Sequence, residues 1–399
     1  MPLKLLLILG GVTAFGPLAI DMYLPAFPAM AEALGAQPSQ IQLSLSVYFL
    51  GLAMGQVFYG PVADLIGRRK PLLFGIVLFC LASLACAFAP SFEWLLVARF
   101  AQALGGCAGI VVNRAVVRDL CTPIEAAKAF SHLMLIMGVA PILAPLLGGV
   151  LLSAVGWSAI FLFLALFSGI YVLAVYFGLP ETIPADAPRL PLSNAFGSYM
   201  LLLREPVFMF HALTGGVAMA GMFAYIAGVP FVVMQLYDIP PERFGWFFGA
   251  NAAGFILFAQ FNAFMLRRHS PLQMLRRTTA CYAVFTALLL VVALWQPASI
   301  WPMVVPMFGS VAIIALVLPN SSASAMAGYG HKAGVASALM GTLQSAIAGI
   351  TSAMVGLLHD GSAVPMAAIM AGCGLVTVLM AWAARRATAT AQAAAKQAG

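Results

Sequence analysis

Apolar residues run along this chain in a series of long stretches separated by short polar segments. A helix that crosses a bilayer needs about 20 apolar residues, because backbone groups buried in hydrocarbon must find their hydrogen bonds within their own segment. Stretches of that length lie at about 5–27, 41–62, 71–90, 94–117, 128–152 and 157–180. A polar stretch from Glu181 to Glu205, carrying Pro184, Pro188 and Pro191, interrupts the series. Six more follow at about 206–236, 244–264, 277–296, 299–320, 334–358 and 363–384. The pattern predicts an all-α membrane protein with twelve spans.

Composition strengthens that reading. Of 399 residues, 63% are apolar and 8% are charged, against about 25% charged in a soluble domain. A soluble fold of this length has too much surface to hide so much apolar material, so lipid is the expected solvent. The net charge of +7 could suit nucleic acid, but the basic residues sit in short clusters between the apolar runs, which is the signature of topology. No nucleic-acid partner is expected. Cys80, Cys86, Cys107, Cys121, Cys281 and Cys373 lie within or at the ends of apolar runs. They have no paired spacing and read as small packing residues, neither disulfides nor metal ligands. Lys4 leads into apolar sequence without a small-residue cleavage signal, so a retained first span is expected.

With the N-terminus inside, the cytoplasmic segments hold Lys4, Arg68, Arg69, Lys70, Arg118, Lys128, Arg189, Arg204, Arg267, Arg268, Arg276, Arg277, Lys332, Arg385, Arg386 and Lys396. The outer loops hold Arg243 alone, and Arg99 and Arg114 remain within a span. This asymmetry predicts that both termini are cytoplasmic. The polar interruption sits at the midpoint, so the chain divides into an N-terminal six-helix bundle (1–180), a cytoplasmic linker (181–205), a C-terminal six-helix bundle (206–384) and a frayed cytoplasmic tail (385–399). Arg68-Arg69-Lys70 after span two is echoed by Arg267-Arg268 after span eight. Two six-helix halves of this kind are the architecture of major facilitator transporters.

Local motifs carry the resemblance further. Gly60-Pro-Val-Ala-Asp64-Leu-Ile-Gly67-Arg68-Arg69-Lys70 resembles the loop motif between the second and third spans of the major facilitator superfamily. Arg99-Phe-Ala-Gln102-Ala-Leu-Gly105-Gly106 looks like its fourth-span motif. Gly138-Val-Ala-Pro141-Ile-Leu-Ala-Pro145-Leu-Leu-Gly148-Gly149 resembles the fifth-span signature of antiporters. Ala19-Ile-Asp21-Met-Tyr-Leu-Pro25-Ala-Phe-Pro28, with Arg114 and Arg118-Asp119, is similar to the Bcr/CflA drug-resistance branch. The topology match covers nearly the whole chain, whereas the sharp motifs lie in the first half. Two positions depart from the pattern: Leu65 replaces a basic residue after the loop aspartate, and Ala144 stands where glycine is common.

The resemblance implies a multi-pass, monomeric protein of the bacterial inner membrane. Its expected role is to export small drugs of the phenicol, bicyclomycin or sulfonamide kind in exchange for protons. The proton gradient would drive it, without a cofactor.

The residues suggest where such chemistry sits. Asp21 is the only carboxylate placed inside an apolar run, and intramembrane acids are functional by default. Pro17 frees the carbonyl of Thr13, so a kink is expected there. Span one runs outward and span four inward. Asp21 and Arg99 therefore each lie about 8–9 Å from an outer helix end, and Arg99 is the expected partner of Asp21. A scaffold role, capping outer-end carbonyls, is the other reading of Arg99. Arg114 lies about 22 Å deeper, placed either to snorkel to the interface or to meet substrate from inside. Asp64 is expected to latch one conformation by bonding a helix N-terminus and Arg68, Arg69 or Arg118. Gly60, Gly67 and Asp119 complete this gating motif. In span five, Gly138, Gly148 and Gly149 permit close backbone approach while Pro141 and Pro145 impose kinks. Asp21, Met22, Tyr23, Tyr48, Asn113, Met137, Met222, Phe223, Tyr225 and Asn251 are the candidate substrate contacts, soft or aromatic surfaces that can repack around different ligands.

A proton-linked nutrient or metabolite transporter would share this topology, and the fifth-span Pro/Gly signature argues against it. A membrane-embedded enzyme is disfavoured. His132, His211, His269, His331 and His359 are scattered at span ends, and no nucleophile stands beside a base. No glycine loop followed by lysine exists to bind a nucleotide, so ATP-driven transport is excluded.

Overall fold

The computed structural model describes residues 2–183, 192–327, 329 and 333–398. Arg189, His331 and Lys332, counted above, lie outside them. Among the described residues every regular element is helical, and twelve helices are long and apolar enough to cross a membrane. Spans one to six are Leu3–Ala33, Ser39–Ile66, Arg69–Ala87, Phe92–Leu120, Lys128–Ala154 and Ser158–Gly178. Spans seven to twelve are Pro206–Leu236, Arg243–Met265, Pro271–Trp295, Trp301–Met326, Gly334–Leu357 and Val364–Thr390. The all-α, twelve-span fold class follows the apolar pattern closely.

Where the ends differ, local chemistry explains it. Span nine begins at Pro271 and not near 277, because Ser270 caps it. The Ser270 hydroxyl accepts from the Gln273 amide and the Gln273 side chain returns to the Ser270 amide, with Pro271 in the first turn. Thr122 and Glu125 make the same reciprocal cap ahead of span five, and Ser91 caps span four. Between the halves the polar stretch is not wholly extended: Leu192–Leu203 forms a helix on which Tyr199 and Leu202 are buried. Nor does the last span fray at Arg385. Its helix continues to Ala398, as the alanine-rich sequence favours, alanine having the highest helix propensity.

The chain separates into two compact units, one of Met1–Asn194 with Asp238–Gly249, the other of Ala195–Tyr237 with Ala250–Gly399. In the first, span three packs on spans four and six, and span one on spans four, five and six. In the second, span nine packs on ten and twelve, and span seven on ten, eleven and twelve. Each unit thus repeats the same pairing order. The contact of spans three and four is made close by glycine: a Cβ on Gly105 would meet the Phe79 backbone and the Gly75 carbonyl.

Candidate functional site

Span one is not a continuous helix. Pro17 cannot donate to the Thr13 carbonyl, and the helix is interrupted at Ala14, between Leu3–Thr13 and Phe15–Asp21. A second break follows Asp21, where Leu24–Ala26 forms a tighter 3-10 turn before Phe27–Ala33 resumes. Pro25 and Pro28 cause it, since they remove the amides that would have bonded the carbonyls of Asp21 and Leu24. Asp21 therefore sits at the helical end of a broken span, in a place where membrane helices commonly expose polar groups for function. It is 4% exposed and its Oδ1 has no hydrogen-bond partner. Because span one reaches Ala33, Asp21 lies within about one turn of the span's midpoint, deeper than the short span at 5–27 implied.

The expected ion pair between Asp21 and Arg99 is not formed. Among the described residues the salt bridges are made by Arg68 and Arg118. Arg99 is completely buried and is held by rings. Its guanidinium carbon lies 4.3 Å from the Tyr23 centroid, 4.3 Å from that of Tyr48 and 5.9 Å from that of Phe161. One edge donates to Gln102 Oε1 at 2.5 Å. Gln102 in turn donates to Ser83 Oγ at 2.8 Å, and Ser83 to the Phe79 carbonyl at 2.7 Å. Arg99 Nε and the second terminal nitrogen find no partner. A desolvated cation–π contact is worth about 2 kcal/mol. The two nearer rings thus offset a good part of the several kcal/mol that burying an ion costs. The physical reason for the missed pair is axial. Arg99 lies about seven residues inside the start of its span and Asp21 about twelve inside the end of its own, an offset of about 7 Å.

The residues of the expected gating motif come together around Arg68 rather than Asp64. Arg68 donates to Asp64 at 2.5 Å and to Asp119 at 2.9 Å, and Arg118 stands 3.9 Å from Asp119. Burial would lower the Arg68 pKa, but the bonds to Asp119 and Asp64 outweigh it and raise it, so Arg68 stays charged. Gly67 takes a φ of 101°, the left-handed region that glycine enters without strain, and turns the chain from span two into span three. Gly60 lies one helical turn before Asp64, where an added Cβ would meet Val111.

The helix N-terminus in this cluster takes Glu181 and not Asp64. Glu181 accepts from the backbone amides of Arg68 at 2.8 Å and Arg69 at 3.2 Å, and from those of Thr182 and Ile183. Thr182 donates its hydroxyl to Asp119 at 3.1 Å. Arg69 reaches the Tyr176 carbonyl and lies 5.3 Å from the Tyr176 ring. In the sequence, Glu181 and Thr182 mark only the start of a linker. Their signal, an acid and a hydroxyl directly after a span's last turn, gains meaning only when that end is brought to the start of span three.

The remaining candidates divide. In the first unit Met22, Tyr23 and Tyr48 are packed in the core. Asn113 donates to the Leu9 carbonyl at 2.8 Å and the Thr13 hydroxyl at 3.0 Å, tying span four to the first break of span one. Met137 is exposed, as is Arg114. Gly138, Pro141, Pro145, Gly148 and Gly149 lie on one helix, and a Cβ on Gly148 would overlap the Met22 carbonyl. Span five thus lies directly on the second break of span one. In the second unit Met222 packs against a cluster that includes Ala218 and Tyr282, the Phe223 carbonyl accepts from Ser352 at 3.4 Å, and Tyr225 and Asn251 are buried.

Comparisons place this arrangement among known proteins. Over 379 residues the chain is 40% identical to the uncharacterized MFS-type transporter YdgK of Bacillus subtilis, covering 92% of each. It is 29% identical to the bicyclomycin resistance protein homolog of Haemophilus influenzae, covering 94% of each. It is also 29% identical to the chloramphenicol resistance protein of Pseudomonas aeruginosa, covering 90% of this chain and 85% of that one. These names agree with the resemblance to the Bcr/CflA branch. Among solved structures, a peptide transporter POT in complex with sulfate superposes with a TM-score of 0.74 at 15% identity, covering 97% of this chain and 94% of that one. A D-xylose–proton symporter gives 0.71 at 13%, covering 95% and 96%. Both share the fold. The family model of the Major Facilitator Superfamily matches residues 9–353, and with twelve spans, a loop motif closed around Arg68 and a broken first span, this chain is a transporter belonging to that superfamily.

Proposed function

We propose that this transporter exports small amphipathic drugs of the phenicol, bicyclomycin or sulfonamide kind across the bacterial inner membrane in exchange for protons. It works by alternating access as a monomer with both termini in the cytoplasm. The names of the resistance relatives support the substrate class. The observation that carries the coupling is Asp21, buried, without an ion-pair partner among the described residues, and lying at a helix break near the middle of its span.

A carboxylate in that position crosses an occluded state at lower desolvation cost when protonated than when charged. Loading a proton from outside and releasing it inside would then alternate with drug binding at the same cavity. One proton in for one neutral drug out moves one positive charge inward. Each 100 mV, inside negative, contributes about 2.3 kcal/mol to that exchange. For a monovalent cationic drug the exchange is electroneutral and voltage has no effect.

The test uses purified protein in liposomes with radiolabelled chloramphenicol and an imposed pH gradient. Wild type should concentrate the drug, and Asp21→Asn should bind it without concentrating it. Uphill accumulation by Asp21→Asn would place the coupling site elsewhere.

A further inference from the structure

A buried guanidinium and a buried carboxylate in the same unit would ordinarily pair, because either one alone is costly in a low-dielectric interior. Here they do not. Arg99 spends its charge on three rings drawn from spans one, two and six, while Asp21 keeps an oxygen without a partner.

The cage is built and not incidental. Tyr23 is fixed at its far end, where its hydroxyl bonds Ser44 Oγ at 3.0 Å and Ser44 donates onward to the Ile41 carbonyl at 2.6 Å. Its ring also packs on Phe27 and Phe161, with centroids 5.0 and 5.9 Å away. Tyr48 is fully buried, and its hydroxyl has no partner. What Tyr48 contributes there is its aromatic face. Gln102 fixes the guanidinium edge, so the cation is held in one orientation over the rings.

We infer that the faces of Tyr23, Tyr48 and Phe161 serve as the counter-charge of Arg99, keep its guanidinium from reaching across the axial offset to Asp21, and are needed for transport as positioning residues. The inference rests on reading Asp21 as the coupling acid. A carboxylate clasped by a guanidinium resists protonation. The π face of a ring takes up no proton, so it compensates the charge of Arg99 without competing for the proton that Asp21 must exchange.

The decisive experiment changes ring electronics at nearly constant shape. Tyr48→Phe is the starting variant, since its lost hydroxyl bonds nothing, and mono-, di- and trifluorophenylalanine are then introduced at position 48. Two quantities are read in liposomes or detergent: chloramphenicol accumulation under a pH gradient and thermal stability of the protein. Tyr48→Phe, which keeps the ring face over Arg99, is the reference against which the fluorinated variants are read. Accumulation should then fall stepwise with fluorine number, by about tenfold or more across the series, the size of a desolvated cation–π contact. Stability should fall in the same order with Arg99 present and stay flat in an Arg99→Met background. A parallel series at Phe161, the more distant ring, should be shallower.

A flat stability series with Arg99 intact would overturn the cage as counter-charge. A graded stability series with flat accumulation would reduce it to scaffold and overturn the functional claim. If the wild-type protein moves no chloramphenicol against a proton gradient, the transport reading fails, and the stability series still reports on the cage.

Discussion

Glu181→Ala is the most informative single change around Arg68, because the carboxylate clasps the first turn of span three from a distant part of the chain. The perturbation removes the acceptor for the Arg68 and Arg69 amides, held at 2.8 and 3.2 Å. Losing a side-chain cap costs about 0.5–2 kcal/mol, which corresponds to an opening of that turn about 2–30 times more frequent. Hydrogen exchange followed by mass spectrometry over residues 67–74 should register this as faster exchange of that order, while peptides from spans nine and ten stay unchanged. Glu181→Gln keeps an oxygen but loses the charge that complements the helix dipole, so it should fall in between.

The clasp also has a pH signature. Partial burial raises the Glu181 pKa, but the amides of Arg68, Ile183, Arg69 and Thr182 outweigh it, and the group lies below the ordinary value of 4.5. A depressed acid contributes stability that is fully present above its ordinary value and lost as pH falls through the depressed one. Protection of this turn, corrected for intrinsic exchange, should therefore hold at neutral and mildly acidic pH and fail only below the usual glutamate range. Exchange in Glu181→Ala equal to wild type at neutral pH would refute the clasp.

Four further variants test other parts of the chain. Asp64→Asn should lower drug accumulation with membrane insertion intact, by no more than a few-fold, since Asp64 is 56% exposed and exposed pairs are worth about 0.2–1 kcal/mol. Asp119→Asn, at 16% exposure, should cost more, and the reverse order would remove Arg68 from the centre of the latch. Gly148→Leu puts a side chain into the Met22 carbonyl, an overpacking of about 1–3 kcal/mol. It should depress both expression and transport, and wild-type behaviour would show that spans one and five can separate. On a cysteine-free background, Ser193→Cys should resist membrane-impermeant reagents added outside intact cells, and labelling from the periplasm would invert the proposed topology.

The spans were legible because the solvent imposes them: hydrocarbon demands about 20 apolar residues per crossing, and that demand is written locally. The first break was legible for the same kind of reason, since Pro17 acts on a carbonyl four residues away. Pro25 and Pro28 carried an equally local signal for the second break, but the apolar run hid it. The continuous helix to Ala398 shows the converse error, where a polar tail was read as frayed although alanine favours helix.

Only the tertiary structure decided the partners. Arg99 had one acid at plausible depth, so pairing by charge was the economical expectation. Its actual partners are rings 76, 51 and 62 residues away in sequence, and a cation–π contact leaves no spacing rule to read. Glu181 likewise acquires its role only because span six packs on span three and returns the chain to Arg68. Hydrophobic length is a property of a segment and survives in one dimension. Charge compensation in a membrane interior belongs to whichever side chains the packing brings within about 4–6 Å, and that exists only once the bundle has closed.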